Sequence, residues 1–345
     1  MPTDALRILV IRFSSMGDII LTTPVLAALK ARYPLAELDF VIKEEYSQLL
    51  EDHPHIHRLY TLAPGEGLLS LRRRIRERRY GIIVDLHANL RSRWLTALLR
   101  ASTKVRYHKG ILRRRAMVMR RRRSGELVHV VDRYLRCLRP LGIAAVRDRP
   151  RLFISPQDKR FGDEFVGRQE FEASGPLVGL HPGAKWPAKR WPGERFAQVA
   201  HRLAVERGAR VLVFGGPGEE LMVRDIAREI GPSAIPVERL SVRQLMAVVS
   251  RCDLFITNDS GPMHLATALE VPVAAIFGPT HPALGFWPLG DDDIVLTADL
   301  DCSPCTLHGK KKCSRDWSCL EAIGVEDVLR AALKTLDRNE EKTTG

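Results

Sequence analysis

Residues 7–34 read RILVIRFSSMGDIILTTPVLAALKARYP and contain a strand, a loop and a helix in that order. The β-branched run at the start predicts a buried strand, and the apolar stretch after SSMGD predicts a helix that ends at Pro34. LDFVI at residues 38–42 supplies the next strand. A strand, a helix and a further strand form the unit from which parallel sheets are built.

The same alternation recurs along the chain. Further short apolar runs, each followed by a helical or loop segment, are GIIVDLH (81–87), PLVGLHP (176–182), ARVLVFGG (209–216), DLFITND (253–259) and VPVAAIFGPT (271–280). Such runs indicate parallel sheets that helices cover on both faces. With 345 residues the chain exceeds the size of one ordinary core, so two α/β domains are expected. Ligands of open parallel sheets bind at the carboxyl ends of the strands, which predicts a cleft between the domains.

Charge is distributed unevenly between the two halves. Residues 1–150 hold 30 Lys and Arg against 14 Asp and Glu, a balance of +16, whereas the remainder holds 24 against 27, a balance of −3. A basic excess confined to one half favours an anionic partner for that half: a phospholipid surface, a phosphorylated lipid or a nucleic acid. An arginine-rich solvated surface is the alternative. The run ILRRRAMVMRRRR at 111–123 lacks an apolar stripe wide enough to pack firmly, which predicts a basic surface helix or loop.

No apolar run reaches the length of about 18 residues that a membrane span needs, and the start of the chain resembles no secretory leader. We therefore expect a cytoplasmic protein. Its six cysteines are then expected to be reduced thiols or metal ligands.

The first candidate motif is RFSSMGD at 12–18, directly after the first strand. Only Gly17 is present where a dinucleotide fingerprint needs three spaced glycines, so a nicotinamide cofactor is not expected. Asp18 would stand at the mouth of the cleft, where a carboxylate can take a proton from an attacking hydroxyl. The alternative is that Asp18 caps a helix beginning at Ile19.

Three further motifs follow later strands. HPGAKWPAKRWPGERF (181–196) places Lys185 and Lys189 in a rigid loop, where either lysine could neutralise a diphosphate leaving group. TNDSGPMHLATAL (257–269) predicts a helix that begins near Ser260, whose first backbone N–H groups would form an anion site. GGPGEE (215–220) is a weaker signal, in which Glu219 or Glu220 could bond a ribose hydroxyl. A packing loop, a plain capped helix and an ordinary turn are the respective alternatives.

Four cysteines stand within eighteen residues near the carboxyl end, at 302, 305, 313 and 319. Four thiols can hold zinc tetrahedrally, but this spacing is not that of a standard zinc ribbon. We therefore expect no metal site, and a structural metal remains the alternative.

In combination these motifs resemble the ADP-heptose:lipopolysaccharide heptosyltransferase family. The resemblance rests on SSMGD with the downstream TTPVL, then KRWP, DSGPMH, FGPT and a cysteine-bearing tail ending in CL, in family order from about residue 6 to residue 335. It implies a GT-B architecture of two Rossmann-like domains, with residues 1–170 binding the acceptor and residues 171–345 the donor. It also implies a last helix that can cross back, and inverting transfer of heptose from ADP-heptose to the lipopolysaccharide inner core without a metal or other cofactor.

The resemblance also assigns roles to individual residues. Asp18 matches the general base. The donor site corresponds to Lys189, Glu219, Asp259, Ser260, Gly261 and His264, and the acceptor site to Arg91, His129 and Arg133. The basic half would contact acidic sugars and an anionic inner membrane surface. The remaining alternatives are a transferase of the same family for another sugar or polysaccharide, and a basic nucleic-acid-binding protein. The latter is disfavoured because no recognition motif is present and few aromatic residues are interleaved with the arginines.

Overall fold

The structure is a computed structural model and describes residues 5–121, 128–298, 300–310, 313, 315–316 and 318–344. Its strands are β1 (Arg7–Ile11), β2 (Glu37–Lys43), β3 (Arg58–Leu62), β4 (Ile82–Asp85), β5 (Thr103–Arg106), β6 (Leu177–His181), β7 (Arg210–Phe214), β8 (Ala234–Val237), β9 (Leu254–Asn258), β10 (Val273–Phe277) and β11 (Ile294–Thr297). Its α-helices are α1 (Met16–Ile20), α2 (Thr23–Arg32), α3 (Leu68–Arg76), α4 (Leu90–Ala97), α5 (Ile111–Arg120), α6 (Val130–Arg136), α7 (Pro156–Gly167), α8 (Gly193–Arg207), α9 (Glu220–Ile230), α10 (Val242–Val249), α11 (Gly261–Ala268), α12 (Ser318–Glu321) and α13 (Val325–Thr344).

Two parallel sheets organise these elements. The first has the strand order β3-β2-β1-β4-β5 and the second the order β11-β10-β9-β6-β7-β8. Neighbouring strands in both sheets pair in parallel; for example, Val10 of β1 lies opposite Phe40 of β2 and Val84 of β4. The two parallel α/β sheets expected from the sequence are thereby confirmed.

The chain divides into two compact units. The first comprises residues 1–110 and 128–153, and the second comprises residues 111–127 and 154–345. Each has its own apolar core beneath its sheet, around Leu9, Ile11 and Ile83 in the first unit and around Leu180 and Ile256 in the second. Each sheet can therefore position its loops independently of the other.

Helix α7 lies in the second unit, although the sequence placed residues up to 170 in the first. It packs on α10, where Arg243 Nη2 donates to Asp158 Oδ2 at 2.6 Å. Gly162 stands so close to the backbone of Ala247 that a Cβ atom would clash with it. The long helix α13 also lies in the second unit, where it packs on α8 and Glu326 pairs with Arg202 at 2.9 Å.

The basic run forms helix α5, and none of its residues is buried, as its weak apolar stripe predicts. Residues 122 and 123 of the same run lie outside the described residues. Although its neighbours in the chain belong to the first unit, α5 belongs to the second, where the Arg114 guanidinium lies 5.8 Å from the ring centre of Phe286.

Among the helices described by the structure, none combines the length and the apolar composition needed to cross a bilayer.

Candidate active site

In the first unit, the loops after β1 and β4 flank the point where the order of the strands reverses. The chain runs outward from β1 to β2 and β3, then returns to the other side of β1 with β4 and β5. Loops that follow the two strands at such a switch point diverge and leave a crevice at the carboxyl edge of the sheet. Residues 12–18 follow β1 and His87 follows β4, so this edge holds the first candidate site.

The Asp18 carboxylate is held at this edge by three residues. Helix α1 begins at Met16 with Ser15 as its N-cap, so Asp18 is the third residue of the helix and not its cap. Asp18 Oδ2 accepts a hydrogen bond from Ser15 Oγ at 2.9 Å. Asp18 Oδ1 lies 2.8 Å from Arg12 Nη2 and accepts a longer bond of 3.4 Å from the Tyr134 hydroxyl. The side chain nevertheless remains 25% exposed, so a ligand can reach it.

Electrostatics keep this carboxylate ionised. Burial raises the pKa of Asp18, but the Arg12 charge and the hydrogen bonds from Ser15 outweigh that effect and hold the pKa below its ordinary value of 3.8. Arg12 is itself fixed, because it donates to the carbonyl oxygens of Leu86 at 2.7 Å and Ser14 at 2.8 Å. At neutral pH Asp18 is therefore an oriented carboxylate that can accept a hydrogen bond from a hydroxyl.

His87 lies near Asp18 and Arg12 and was not predicted from the sequence. Burial, followed by the positive charges of Arg12 and Lys109, lowers the pKa of His87 to about 4, so the ring is neutral at pH 7. Its ring packs edge-on against Phe13, with 5.1 Å between the ring centres. The signal that could have identified His87 is its position after β4, which matches the position of RFSSMGD after β1.

The loop after β4 is organised by the buried Asp85. Asp85 Oδ1 accepts from the backbone N–H groups of His87 at 3.1 Å and Ala88 at 2.8 Å, and Oδ2 accepts from Ser92 Oγ at 3.0 Å. These bonds fix the start of α4, on which Arg91 is exposed to solvent. Arg91 is thus available to an anionic ligand.

The other two residues expected to bind the acceptor lie at the start of α6. His129 is fully buried and caps the helix, because its Nδ1 accepts from the backbone N–H of Val131 at 3.2 Å. Arg133 is half-buried, and its Nη2 donates to the Val128 carbonyl at 3.1 Å. The structure thus gives His129 a capping role, and contact with a sugar would require its ring to leave this position.

In the second unit, Lys189 and Asp259 stand at the switch point of the second sheet. The chain runs from β6 out to β7 and β8, then returns beside β6 with β9 and continues to β10 and β11. Lys189 follows β6 and Asp259 follows β9, and Lys189 Nζ lies 2.5 Å from Asp259 Oδ2 and 3.1 Å from the Asp259 carbonyl oxygen. Thr280, after β10, donates to the same Oδ2 at 2.6 Å. One carboxylate therefore ties together the loops that follow three adjacent strands.

This ion pair is formed at neutral pH. Burial raises the pKa of Asp259, but the combined effects of Lys189, the Thr280 hydroxyl and His264 are larger. The pKa therefore lies below its ordinary value. An ammonium group has three donors, and Asp259 receives two of those of Lys189, which leaves the third for a ligand. The Asp259 carboxylate thus positions Lys189, and a direct contact with a donor molecule is not required of it.

Trp191 and Asn258 hold the lysine loop against the sheet. The Asn258 side chain accepts from the Trp191 backbone N–H at 3.0 Å and donates to the Pro182 carbonyl at 2.8 Å. Trp191 is almost fully buried, and its indole N–H donates to the Ile323 carbonyl at 3.0 Å. Since both ends of the loop are fixed, Lys189 has little freedom to move.

Helix α11 begins beside the ion pair. Ser260 is its N-cap but makes no side-chain capping hydrogen bond, and Pro262 stands in the first turn. His264 is buried within the same helix and lies close enough to lower the pKa of Asp259. The first turn of α11, which includes Gly261, therefore presents the positive end of the helix dipole next to Lys189.

Glu219 lies in the loop after β7, next to β6 in the sheet. It is the N-cap residue of α9; its Oε2 accepts from the Gly216 backbone N–H at 3.0 Å, and its Oε1 accepts from Arg190 Nη2 at 3.1 Å. The carboxylate packs directly on Gly183, where a Cβ atom would overlap it. Arg190, which the sequence analysis did not single out, thus links Glu219 to the lysine loop, whereas Lys185 is exposed.

The cysteine-bearing segment packs beside the loop that follows β10. The backbone N–H of Cys305 donates to the Pro279 carbonyl at 3.1 Å. Burial and then the neighbouring thiols of Cys305, Cys313 and Cys302 raise the pKa of Cys319 to about 11, so it is a neutral thiol. In the part of the chain described here, no three Cys, His, Asp or Glu side chains are grouped to hold a metal ion, and residues 311, 312, 314 and 317 lie outside that part.

The two units thus hold groups of different chemistry. The first holds an ionised, partly exposed carboxylate, and the second holds a fixed cation beside a helix N-terminus. A carboxylate of this kind can accept a proton, and the cation with the helix dipole can stabilise a leaving phosphate.

Comparison with known proteins identifies the family of this chain. The sequence profile of glycosyltransferase family 9 (heptosyltransferase) matches residues 68–314. The lipopolysaccharide heptosyltransferase 1 of Pseudomonas aeruginosa is 28% identical over 90% of this chain and 88% of its own length. The lipopolysaccharide heptosyltransferase 3 of Escherichia coli K12 is 29% identical over 93% of this chain and 95% of its own length.

Solved structures show a similar fold over nearly the whole chain. A family 9 glycosyl transferase from Veillonella parvula superposes with a TM-score of 0.81 at 27% identity, covering 98% of this chain and 99% of its own. The E. coli ADP-heptose lps heptosyltransferase II superposes with a TM-score of 0.76 at 23% identity, covering 97% of this chain and 100% of its own. The fold is therefore that of the two-domain GT-B glycosyltransferases. The chain belongs to glycosyltransferase family 9, the heptosyltransferases.

Proposed function

We propose that this protein transfers heptose from ADP-heptose to the inner core of lipopolysaccharide. The observation that carries the proposal is the Lys189–Asp259 ion pair of 2.5 Å, which fixes a cation at the switch point of the second sheet. The names of the relatives support both substrates, since they include lipopolysaccharide heptosyltransferases and an ADP-heptose transferase.

In this proposal the second unit binds the donor, mainly through residues 171–345. Lys189 and the first backbone N–H groups of α11, including those of Gly261 and His264, face the diphosphate, and Ser260 borders it. Glu219 accepts a hydrogen bond from a ribose hydroxyl. Negative charge builds up on the diphosphate as the sugar leaves, so these donors bind the transition state more strongly than the ground state.

The first unit binds the acceptor and supplies the base. An acceptor hydroxyl oxygen forms a bond to the anomeric carbon, while the bond from that carbon to the β-phosphate oxygen breaks and ADP leaves with the electron pair. The hydroxyl proton passes to Asp18, and this in-line displacement inverts the anomeric configuration. Arg91 and Arg133 pair with the acidic groups of the acceptor, since guanidinium groups suit bidentate recognition of carboxylates and phosphates.

The test is the release of ADP from ADP-heptose in the presence of a panel of truncated lipopolysaccharide acceptors. We expect ADP release with one truncated acceptor that lacks a heptose, and little ADP release without an acceptor. Addition of EDTA should not change the rate, because Lys189 supplies the cationic charge. Release with another ADP-sugar or another polysaccharide, and none with ADP-heptose, would favour a different transferase of the same family. Absence of turnover with every sugar nucleotide would refute the proposal.

Ligand-induced shifts of the melting temperature distinguish a sugar transferase from a nucleic-acid-binding protein. ADP-heptose or ADP should raise the melting temperature, whereas an oligonucleotide should not. Protection by the oligonucleotide with none by the nucleotide sugar would instead support nucleic-acid binding.

A coupled pair of substitutions tests the role of Glu219. Glu219→Gln should raise the KM for ADP-heptose about tenfold, because a neutral amide replaces the charged acceptor of the ribose hydroxyl. Gly183→Ala should have a similar effect, since the added Cβ displaces the same carboxylate. The double variant should be little worse than either single variant, because both changes act through one group. Glu220→Gln is the control and should leave the KM within twofold; additive losses in the double variant would contradict the shared mechanism.

The proposed acceptor is a lipid, so we also propose that the protein works in the cytoplasm at the inner face of the inner membrane. The excess of arginine and lysine over residues 1–150 supports contact with an anionic surface.

A further inference from the structure

Helix α5 carries an unusual combination of charge and exposure. Residues 111–121 read ILRRRAMVMRR and contain five arginines and no acidic residue. The helix spans Ile111–Arg120 and none of its side chains is buried. Its charge therefore has no compensation within the helix itself.

The outward face of α5 carries one exposed apolar side chain near each of its ends. Leu112 is 83% exposed and Met119 is 82% exposed, and the two lie seven residues apart on one face of the helix. Arg115 stands between them on the same stripe, and Arg120 lies beside Met119; both arginines are exposed. A water-exposed pair of large apolar side chains bordered by arginines has the pattern of a helix that lies in a membrane interface.

The helix is also held in place. The Arg114 guanidinium lies over the ring of Phe286, another residue of the second unit, at 5.8 Å. Met117 and Val118 are partly covered, whereas Leu112 and Met119 are not. This contact presents the apolar pair to the solvent and not to the protein.

We propose that α5 docks this protein on an anionic phospholipid bilayer. Leu112 and Met119 enter the interfacial layer, and Arg115 and Arg120 pair with lipid phosphates. Charge complementarity favours an anionic partner, and the exposed apolar pair favours lipid over nucleic acid. No aromatic residue is present in 111–121 to stack on bases. The inference rests on the proposed function in one respect, namely that the acceptor is a lipid. Docking through α5 would then bring the enzyme to the membrane that holds its acceptor.

The experiment is co-sedimentation of the full chain with vesicles of phosphatidylcholine alone or with 30% phosphatidylglycerol. We expect binding to the anionic vesicles, weak binding to the neutral ones, and a steep decrease with added salt. The double variant Leu112→Ser/Met119→Ser should bind the anionic vesicles about tenfold more weakly, because two apolar side chains no longer leave water. Each of Arg115→Gln and Arg120→Gln should weaken binding about fivefold.

The matched control is Val205→Ser/Leu221→Ser. These residues lie on α8 and α9 of the same unit and are 70% and 75% exposed. The control should bind vesicles as the native protein does. Equal losses in both double variants, native binding by Leu112→Ser/Met119→Ser, or retention by an oligonucleotide but not by anionic vesicles would overturn the proposal.

Turnover on a deacylated, water-soluble acceptor separates this inference from the proposed function. The Leu112→Ser/Met119→Ser variant should keep native turnover there. If the native protein binds anionic vesicles but turns over no acceptor, the proposed function fails and the docking surface stands. If turnover is normal and vesicle binding is absent, the docking proposal alone fails.

Discussion

Replacing Asp18 by asparagine should lower turnover about 10²- to 10⁴-fold, the usual contribution of a general base, while ADP-heptose binding stays within a few-fold of native. The amide has nearly the same shape and can still accept from Ser15, so the local fold should persist. What is lost is the group that takes the acceptor proton. Because Arg12 and Ser15 hold the pKa of Asp18 below 3.8, the native carboxylate is a weak base, and its position must contribute much of its effect. Single-turnover ADP release and donor titration measure the two quantities separately.

Glu66→Gln is a suitable control for this substitution. Glu66 is another carboxylate of the first unit that pairs with an arginine, Arg74, at 2.9 Å. Its neutralisation should leave turnover within about twofold. An Asp18→Asn protein that is folded by circular dichroism and retains more than a tenth of native turnover would refute the assignment of the base.

Replacing Lys189 by alanine should lower kcat about 10²- to 10³-fold, as expected for the loss of one preorganised donor to a leaving group. It should also destabilise the fold by roughly 3 kcal/mol, because Asp259 is left buried without its cation. Steady-state kinetics and denaturant unfolding measure the two effects. Lys185→Ala, a change to an exposed lysine in the same loop, should alter neither.

A double variant separates chemistry from stability at this position. Lys189→Met/Asp259→Asn removes both charges, so it should recover much of the lost stability without recovering turnover. If turnover returned together with stability, Lys189 would be acting only as a structural partner of Asp259, and the proposed contact with the diphosphate would be wrong.

The strands that the sequence predicts are the central ones. β1, β2, β4, β6, β7, β9 and β10 read as mainly apolar runs, as strands buried on both faces do. The four strands without a clear signal, β3, β5, β8 and β11, are the edges of the two sheets. Burial alternates or is weak along them; β11, for example, has no fully buried residue. An edge strand has one neighbour and less cover, so its composition need not be apolar.

The site could be predicted where one segment carries the chemistry. Asp18, Lys189 and Asp259 each follow a strand in a recognisable motif, and the structure places Lys189 and Asp259 in contact. The contact of Tyr134 with Asp18 joins residues 116 apart in the sequence, and no local pattern indicates it. The same holds for Arg190 and Glu219, whose pairing depends on which strands are neighbours. His129 was assigned to the acceptor site through the family resemblance, and its contact with an acceptor stays a prediction. The structure adds that its buried ring caps α6, which no local pattern indicates.

The assignment of α5 to the second unit has a practical consequence for dividing this protein. The polypeptide leaves the first unit after Gly110, has returned to it at Val128, and leaves it again after Phe153. No single cut therefore yields two intact halves: an amino-terminal fragment ending at Phe153 would carry α5 without Phe286, and the complementary fragment would lack the helix altogether. To study either half in isolation, α5 would have to be removed from the amino-terminal fragment and joined to the carboxyl-terminal one.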